Sequence, residues 1–158
     1  MKFIDTYAGH KSRPRLVRTG VNTLRAGLAF LAFVQAVLGS WSLIAPRHFY
    51  DNFPLPTNQW VAFFPPFNEH LLRDFGSLNL ALGTVLVFAA ITMERRLVQA
   101  ALAGYLVFAV PHLVFHLNHL SHMPLADQIG NVVSLVTVVL IPLALLPLSL
   151  KPGARVNH

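Results

Sequence analysis

Four long segments without a charged residue constrain this chain more than any other feature of its sequence. They contain 21, 19, 30 and 23 residues and cover positions 26–46, 75–93, 97–126 and 128–150. A membrane-spanning helix needs about 20 mostly apolar residues. The pattern therefore predicts an all-α fold in which four transmembrane helices form an up-down bundle. The predicted helices cover about 22–44, 68–92, 97–120 and 126–149.

The composition excludes several classes of protein. Charged residues make up 11% of the chain and hydrophobic residues 54%, whereas a soluble domain usually carries about 25% charged residues. This balance argues against a soluble enzyme and against a disordered chain. The 12 lysines and arginines flank the apolar segments, so no nucleic-acid partner is expected. The absence of cysteine from the sequence excludes thiolate ligands for a metal.

The distribution of positive charge predicts how the helices are oriented. Ten of the twelve lysines and arginines precede the first charge-free segment, lie between the second and the third or follow the fourth, and only Arg47 and Arg73 lie on the other side. Because positive charges mark the cytoplasmic side, we expect both termini to lie in the cytoplasm. The expected location of the protein is the plasma or inner membrane. A basic arm at 1–21 would precede a transmembrane domain at 22–150, with a tail at 151–158. We expect the first helix to be retained, because its charged leader is longer than that of a signal peptide.

The outer loop at 45–67 is rich in aromatic residues and proline. Its aromatic residues are Phe49, Tyr50, Phe53, Trp60, Phe63, Phe64 and Phe67. Such residues favour the headgroup zone of a bilayer. We expect the loop to anchor the protein in that zone, and the alternative is a lid over a site beneath it.

The start of the second predicted helix combines capping and charged residues. Asn68 is expected to cap the helix, and Glu69 in the first turn suits the positive end of the helix dipole. Glu69 and Arg73 are four residues apart and can form an ion pair, whereas His70 and Asp74 share another face. Because a buried carboxylate is costly at membrane depth, Asp74 is expected to need a hydrogen-bonded partner.

The third and fourth predicted helices carry polar residues near the same rim of the bundle. His112, His116 and His119 fall within a sector of about 60° on one helix face. Asp127 and Asn131 lie one turn apart at the start of the fourth helix. These residues and those of the second helix stand at similar depth, so we expect them to converge in an outward-facing polar pocket.

A transition-metal site is the leading hypothesis for this pocket. Imidazole and carboxylate groups bind zinc, copper and iron, and histidines four residues apart on a helix can share one ion. The candidate ligands are His112, His116, His119 and Asp74, with Glu69 or Asp127 as substitutes for Asp74. His112 and His119 lie about 10 Å apart along a helix and cannot share an ion. Such a site could serve a redox-linked role.

Two other interpretations remain open. The pocket could bind a small polar molecule or a quinone head, or relay protons between histidine and aspartate. Alternatively, the polar residues form a hydrogen-bonded network that locks the helix ends of a non-catalytic accessory subunit in a larger membrane complex. The expected partners are the lipid bilayer and either another membrane protein or a second copy of this chain. No constellation of residues specifies a reaction, so enzymatic activity is left open.

One segment resembles a known family. The run Asn68-Glu69-His70-Leu71-Leu72-Arg73-Asp74-Phe75-Gly76, followed by Asn79-Leu80-Ala81-Leu82-Gly83, is similar to small DoxX-like bacterial membrane proteins, chiefly through the Arg-x-x-Gly entry at Arg73 and Gly76. The resemblance implies a bacterial plasma-membrane protein with four helices, and some members of that family are linked to redox or stress systems. The histidine run of the third helix is not carried by the resemblance, which therefore implies no functional residue.

Overall fold

The described part of the chain is entirely helical. A computed structural model describes residues 15–150, without the side chains of 15–18 and 122. The helices are α1 (Arg15–Ile44), α2 (Pro46–Asn52), α3 (Glu69–Thr92), α4 (Arg95–Leu117) and α5 (Leu125–Leu150), with a 3-10 turn at Leu120–His122. Most of the predicted basic arm, at 1–14, and the predicted tail at 151–158 lie outside the described residues.

Four of these helices are long and apolar enough to cross a membrane: Thr19–Ile44 within α1, and the whole of α3, α4 and α5. The prediction of four helices suited to a membrane bundle is therefore confirmed. Large apolar side chains on their outer surfaces, including Phe33, Leu78 and Val107, are 65–76% exposed, as expected of helices that contact lipid. The helix α1 begins before the predicted residue 22, because charge marks the edge of an apolar span and does not stop a helix.

Neighbouring helices run antiparallel in the order expected of an up-down bundle. The helix α1 packs against α3, α3 against α4, α4 against α5, and α5 against α1. We call the end formed by 45–68 and 118–124 the loop face, and the opposite end, at 93–94 and 150, the terminus face. The core in the half nearer the terminus face is apolar, with Leu28, Leu86 and Leu102 completely buried.

Glycines bring α1 and α3 into close contact. A Cβ atom added to Gly76 would lie 2.7 Å from the backbone nitrogen of Leu43 and 2.8 Å from the carbonyl oxygen of Gly39. One added to Gly83 would lie 3.2 Å from the Cβ of Gln35. Small residues allow such close approach in lipid, where van der Waals packing drives helix association. The contact determines which residues of α1 meet those of α3.

Side chains cap the starts of α3 and α4. The Asn68 carboxamide oxygen accepts a hydrogen bond of 3.1 Å from the backbone N–H of Leu71, which confirms Asn68 as the N-cap of α3. Glu94 does the same for α4 through a bond of 2.6 Å from the N–H of Leu97. Each carboxyl or amide group satisfies a backbone donor that has no partner within its helix.

Candidate functional site

The residues between α1 and α3 fold into a compact cap over the loop face. This aromatic cap, residues 45–68, contains the short helix α2, which the sequence did not predict. Phe49, Tyr50 and Leu72 of α3 form a buried cluster there, and the Trp41 ring meets that of Phe49 edge-on at 5.4 Å between centroids. The cap is thus packed against the ends of α1 and α3.

Asp127 fastens the other side of the aromatic cap to α5. Its Oδ1 accepts hydrogen bonds from the side-chain nitrogens of Asn58 and Trp60, the second at 2.8 Å. The indole of Trp60 also lies over Gly130, where an added Cβ would come within 3.0 Å of the ring. Asp127 is 7% exposed. Its carboxylate therefore serves as a hydrogen-bond anchor for the aromatic cap.

The aromatic cap covers the histidines at the end of α4. The Phe64 ring meets His116 edge-on at 5.4 Å between centroids and lies 6.2 Å from His119. The His119 ring stacks on Phe115 at 4.2 Å, and its Nδ1 lies 2.7 Å from the Phe115 carbonyl oxygen. His119 is thus bound locally, as a histidine near a helix end often is. The loop therefore contacts polar residues of the bundle, while its role as an anchor or as a lid stays a prediction.

His112 and His116 form a pair on one face of α4. Their ring centroids are 4.7 Å apart, and His112 stacks on Phe108 at 5.4 Å. The His116 side chain lies within hydrogen-bonding reach of the Asn131 side chain of α5, and Asn131 is 2% exposed. Among the described residues, however, neither Nδ1 of His116 nor Oδ1 of Asn131 makes a hydrogen bond of good geometry, although both atoms are buried. The structure thus brings one histidine of α4 and one asparagine of α5 together, while an outward-facing pocket that binds a ligand stays a prediction.

The charged residues of α3 do not join this pair. Glu69 and Arg73 form the predicted ion pair at 2.7 Å, and Arg73 Nη1 also donates to the Leu43 carbonyl at 2.6 Å. His70 and Asp74 approach to 3.3 Å, with 87% and 57% of their side chains exposed. We expected Asp74 in the polar pocket, and the structure corrects this. Its position around α3 directs it away from the bundle, so it pairs with His70 of its own helix.

We call His112, His116, Asn131 and the Phe64 ring above them the His–Asn site. Among the described residues, no group of three or more histidines and carboxylates is close enough to hold a metal ion. The three candidate carboxylates are paired elsewhere: Glu69 with Arg73, Asp74 with His70, and Asp127 with the aromatic cap. Zinc, copper or iron at His112, His116, His119 and Asp74 remains a prediction, for which the structure supplies two adjacent imidazoles.

Sequence reasoning missed two sets of residues. Asn58 and Trp60, which hold Asp127, lie nearly seventy positions away in the chain. Gln35 and Asn79 are buried in the middle of apolar helices, with 1% and 3% of their surface exposed. The sequence did contain a signal for this second pair, because a carboxamide inside a charge-free span is unusual.

Comparisons with known proteins do not assign the site. No protein-family model, no curated protein and no solved structure matches this chain. The likeness to DoxX-like proteins accordingly stays a prediction from the residues around Arg73 and Gly76.

Proposed function

We propose that this protein binds a small uncharged molecule in the His–Asn site. The observation that carries the proposal is a pair of buried atoms on two neighbouring helices, Nδ1 of His116 and Oδ1 of Asn131, which make no hydrogen bond of good geometry within the described part of the chain. A buried polar atom without a hydrogen bond costs about 1–3 kcal/mol. A ligand that bonds to both atoms would remove that cost on binding.

The surroundings of these atoms favour an aromatic molecule that carries hydroxyl groups. A carboxamide oxygen accepts hydrogen bonds, and an imidazole nitrogen accepts or donates according to its tautomer. A hydroxyl group can donate a hydrogen bond to the carboxamide oxygen, and it can either donate to the imidazole nitrogen or accept from it. The rings of Phe64 and Phe108 flank His116 and His112 and would pack against a flat ring. The head of a quinol combines these properties and could enter from the lipid.

Binding of decylubiquinol, a short-chain quinol, tests this proposal. The protein would be purified in lipid nanodiscs and titrated by isothermal calorimetry. We expect saturable binding to the wild type, and at least a tenfold loss for His116→Leu and for Asn131→Leu, because about 1.4 kcal/mol of lost interaction weakens binding tenfold. His70→Ala is the matched control, since that histidine is exposed and pairs with Asp74 along its own helix. Equal binding by all four proteins would contradict the assignment.

A metal ion is the second candidate, and one observation favours it. The His112 and His116 rings lie 4.7 Å apart with one turn of helix between them, which is an arrangement that can bind one ion through two nitrogens. Zn²⁺ and Cu²⁺ should then bind the wild type and not the double variant His112→Ala, His116→Ala. The absence of binding by both metals and by decylubiquinol would favour the structural role in an accessory subunit.

We further propose that the loop face lies outside the cell. The support is the sequence: ten of the twelve lysines and arginines precede the first charge-free segment, lie between the second and the third, or follow the fourth, and positive charge marks the cytoplasmic side. Arg25 and Arg95 at the terminus face donate hydrogen bonds to the Ala90 and Leu150 carbonyls, at the negative ends of α3 and α5. The His–Asn site would then face the exterior of a plasma or inner membrane.

A further inference from the structure

Three buried polar residues from three helices lie near the middle of the bundle. They are Gln35 of α1, Asn79 of α3 and Tyr105 of α4. Their exposed fractions are 1%, 3% and 1%, so all three are removed from lipid and from the solvent outside the protein. Each lies more than two helical turns from the ends of its helix, deeper than the His–Asn site.

Contacts between helices place these residues together. The Tyr105 side chain lies beside that of Gln35. Gln35 also faces Gly83 of α3, because a Cβ atom added to Gly83 would lie 3.2 Å from the Cβ atom of Gln35. Asn79 is one turn from Gly83 on the same side of α3, so it stands about 6 Å further toward the loop face. The three residues therefore occupy a short length of the bundle interior.

The polar atoms of this cluster are incompletely paired. The Asn79 amide nitrogen donates to the Phe75 carbonyl at 2.6 Å, but Oδ1 accepts no hydrogen bond among the described residues. Oε1 of Gln35 is likewise buried without a partner in residues 15–150. Buried polar groups in proteins are usually satisfied by protein or by ordered water. Both oxygens are acceptors to which ordered water can donate, and one of them belongs to the side chain that lies beside the Tyr105 phenol.

The two halves of the bundle differ in polarity. Toward the terminus face the neighbours of the cluster are Leu28, Leu86 and Leu102, all completely buried. Toward the loop face come His112 and Asn131. Although the apolar cluster of Phe49 and Leu72 also lies at the loop face, polar side chains that water could follow are found on that side of the three residues.

We propose that Gln35, Asn79 and Tyr105 line an internal site that holds water, supplied from the loop face and closed toward the terminus face. Water here would extend the polar interior from the His–Asn site to the middle of the membrane. The inference stands apart from the proposed ligand, since it rests on other side chains.

Single cysteines test the proposal directly, because the natural sequence contains none. Asn131→Cys, Asn79→Cys and Gln35→Cys would be reacted with methyl methanethiosulfonate in nanodiscs, with Leu28→Cys as the matched dry control. The thiolate is the reactive form, and an apolar environment raises the pKa of a thiol. We expect the three polar positions to react at least about tenfold faster than position 28, since one pKa unit is a tenfold change in thiolate.

Two results would overturn the proposal. Gln35→Cys and Asn79→Cys as slow as Leu28→Cys would show a dry site. Fast reaction of Leu28→Cys would show that water crosses the apolar half. Variants would be compared only after gel filtration shows a single species.

Radiolytic footprinting provides a second measurement with the native side chains in place. Hydroxyl radicals formed from bound water should oxidise Tyr105 in the wild type despite its burial. Oxidation should fall several-fold in the double variant Gln35→Leu, Asn79→Leu, while Tyr50 in the aromatic cap stays unchanged. No oxidation of Tyr105, or equal oxidation in both proteins, would refute a water site. Neither experiment depends on quinol binding, so the two proposals can fail separately.

Discussion

Replacement of Gly76 by alanine should destabilise the bundle, because the added methyl group has no room. Its Cβ would lie 2.7 Å from the Leu43 nitrogen and 2.8 Å from the Gly39 carbonyl oxygen. Both neighbours are backbone atoms, which cannot rotate away as a side chain can. The helices α1 and α3 would have to separate, and the contact that brings Gln35 toward α3 would loosen.

Two opposing effects determine the magnitude. Alanine is favoured over glycine inside a helix by about 0.5–1 kcal/mol. Overpacking costs typically 1–3 kcal/mol and occasionally more; because backbone atoms are involved, the upper end applies. We therefore expect a net loss of about 2–2.5 kcal/mol in the free energy of unfolding, which is the difference between the upper end of the overpacking cost and the gain in helix propensity.

Gly104→Ala is the control for helix propensity. No atom lies within 4 Å of a Cβ added at Gly104, so this variant gains the propensity without the clash. Both variants and the wild type would be unfolded by sodium dodecyl sulfate from mild detergent, with circular dichroism as the readout. Gly76→Ala should be the least stable of the three. If it matches Gly104→Ala, the close packing of α1 on α3 described above is incorrect.

Two further predictions concern the aromatic cap and the link between α3 and α4. Trp60→Phe removes a hydrogen bond to the buried Asp127 carboxylate and should lower the free energy of unfolding by about 1.5–3 kcal/mol, with faster cleavage of the aromatic cap by a protease of broad specificity such as proteinase K. Trp41→Phe is the control: its indole donates to the exposed His48, so its loss should cost less. A larger effect of Trp41→Phe than of Trp60→Phe would contradict the anchor role of Asp127. Hydrogen bonding from the Leu97 amide holds the pKa of Glu94 below its ordinary value, so its contribution to stability is present above the ordinary glutamate pKa and is lost as the pH falls through the lowered one. Thermal unfolding of Glu94→Gln should therefore differ from that of the wild type at neutral pH and converge with it in acid; a constant difference at all pH values would count against the cap.

Local features of the site were predictable because each lies within one turn of helix. The Glu69–Arg73 pair and the Asn68 cap involve residues three or four apart, where helix geometry alone sets the distance. The direction of Asp74 was not predictable in this way. Its place inside or outside the bundle depends on how α3 is rotated, and the close contact at Gly76 and Gly83 sets that rotation.

The amino-acid order alone determined the number of long apolar helices, because removal of charge from about 20 consecutive residues is what a bilayer demands. Only the tertiary structure decided which polar groups meet. Asp127 accepts hydrogen bonds from Asn58 and Trp60, and Gln35 lies beside Tyr105, although the partners are separated by some seventy positions in the chain. Such pairings depend on how the helices pack, because a periodic apolar pattern indicates which residues are buried but does not indicate which residues they contact.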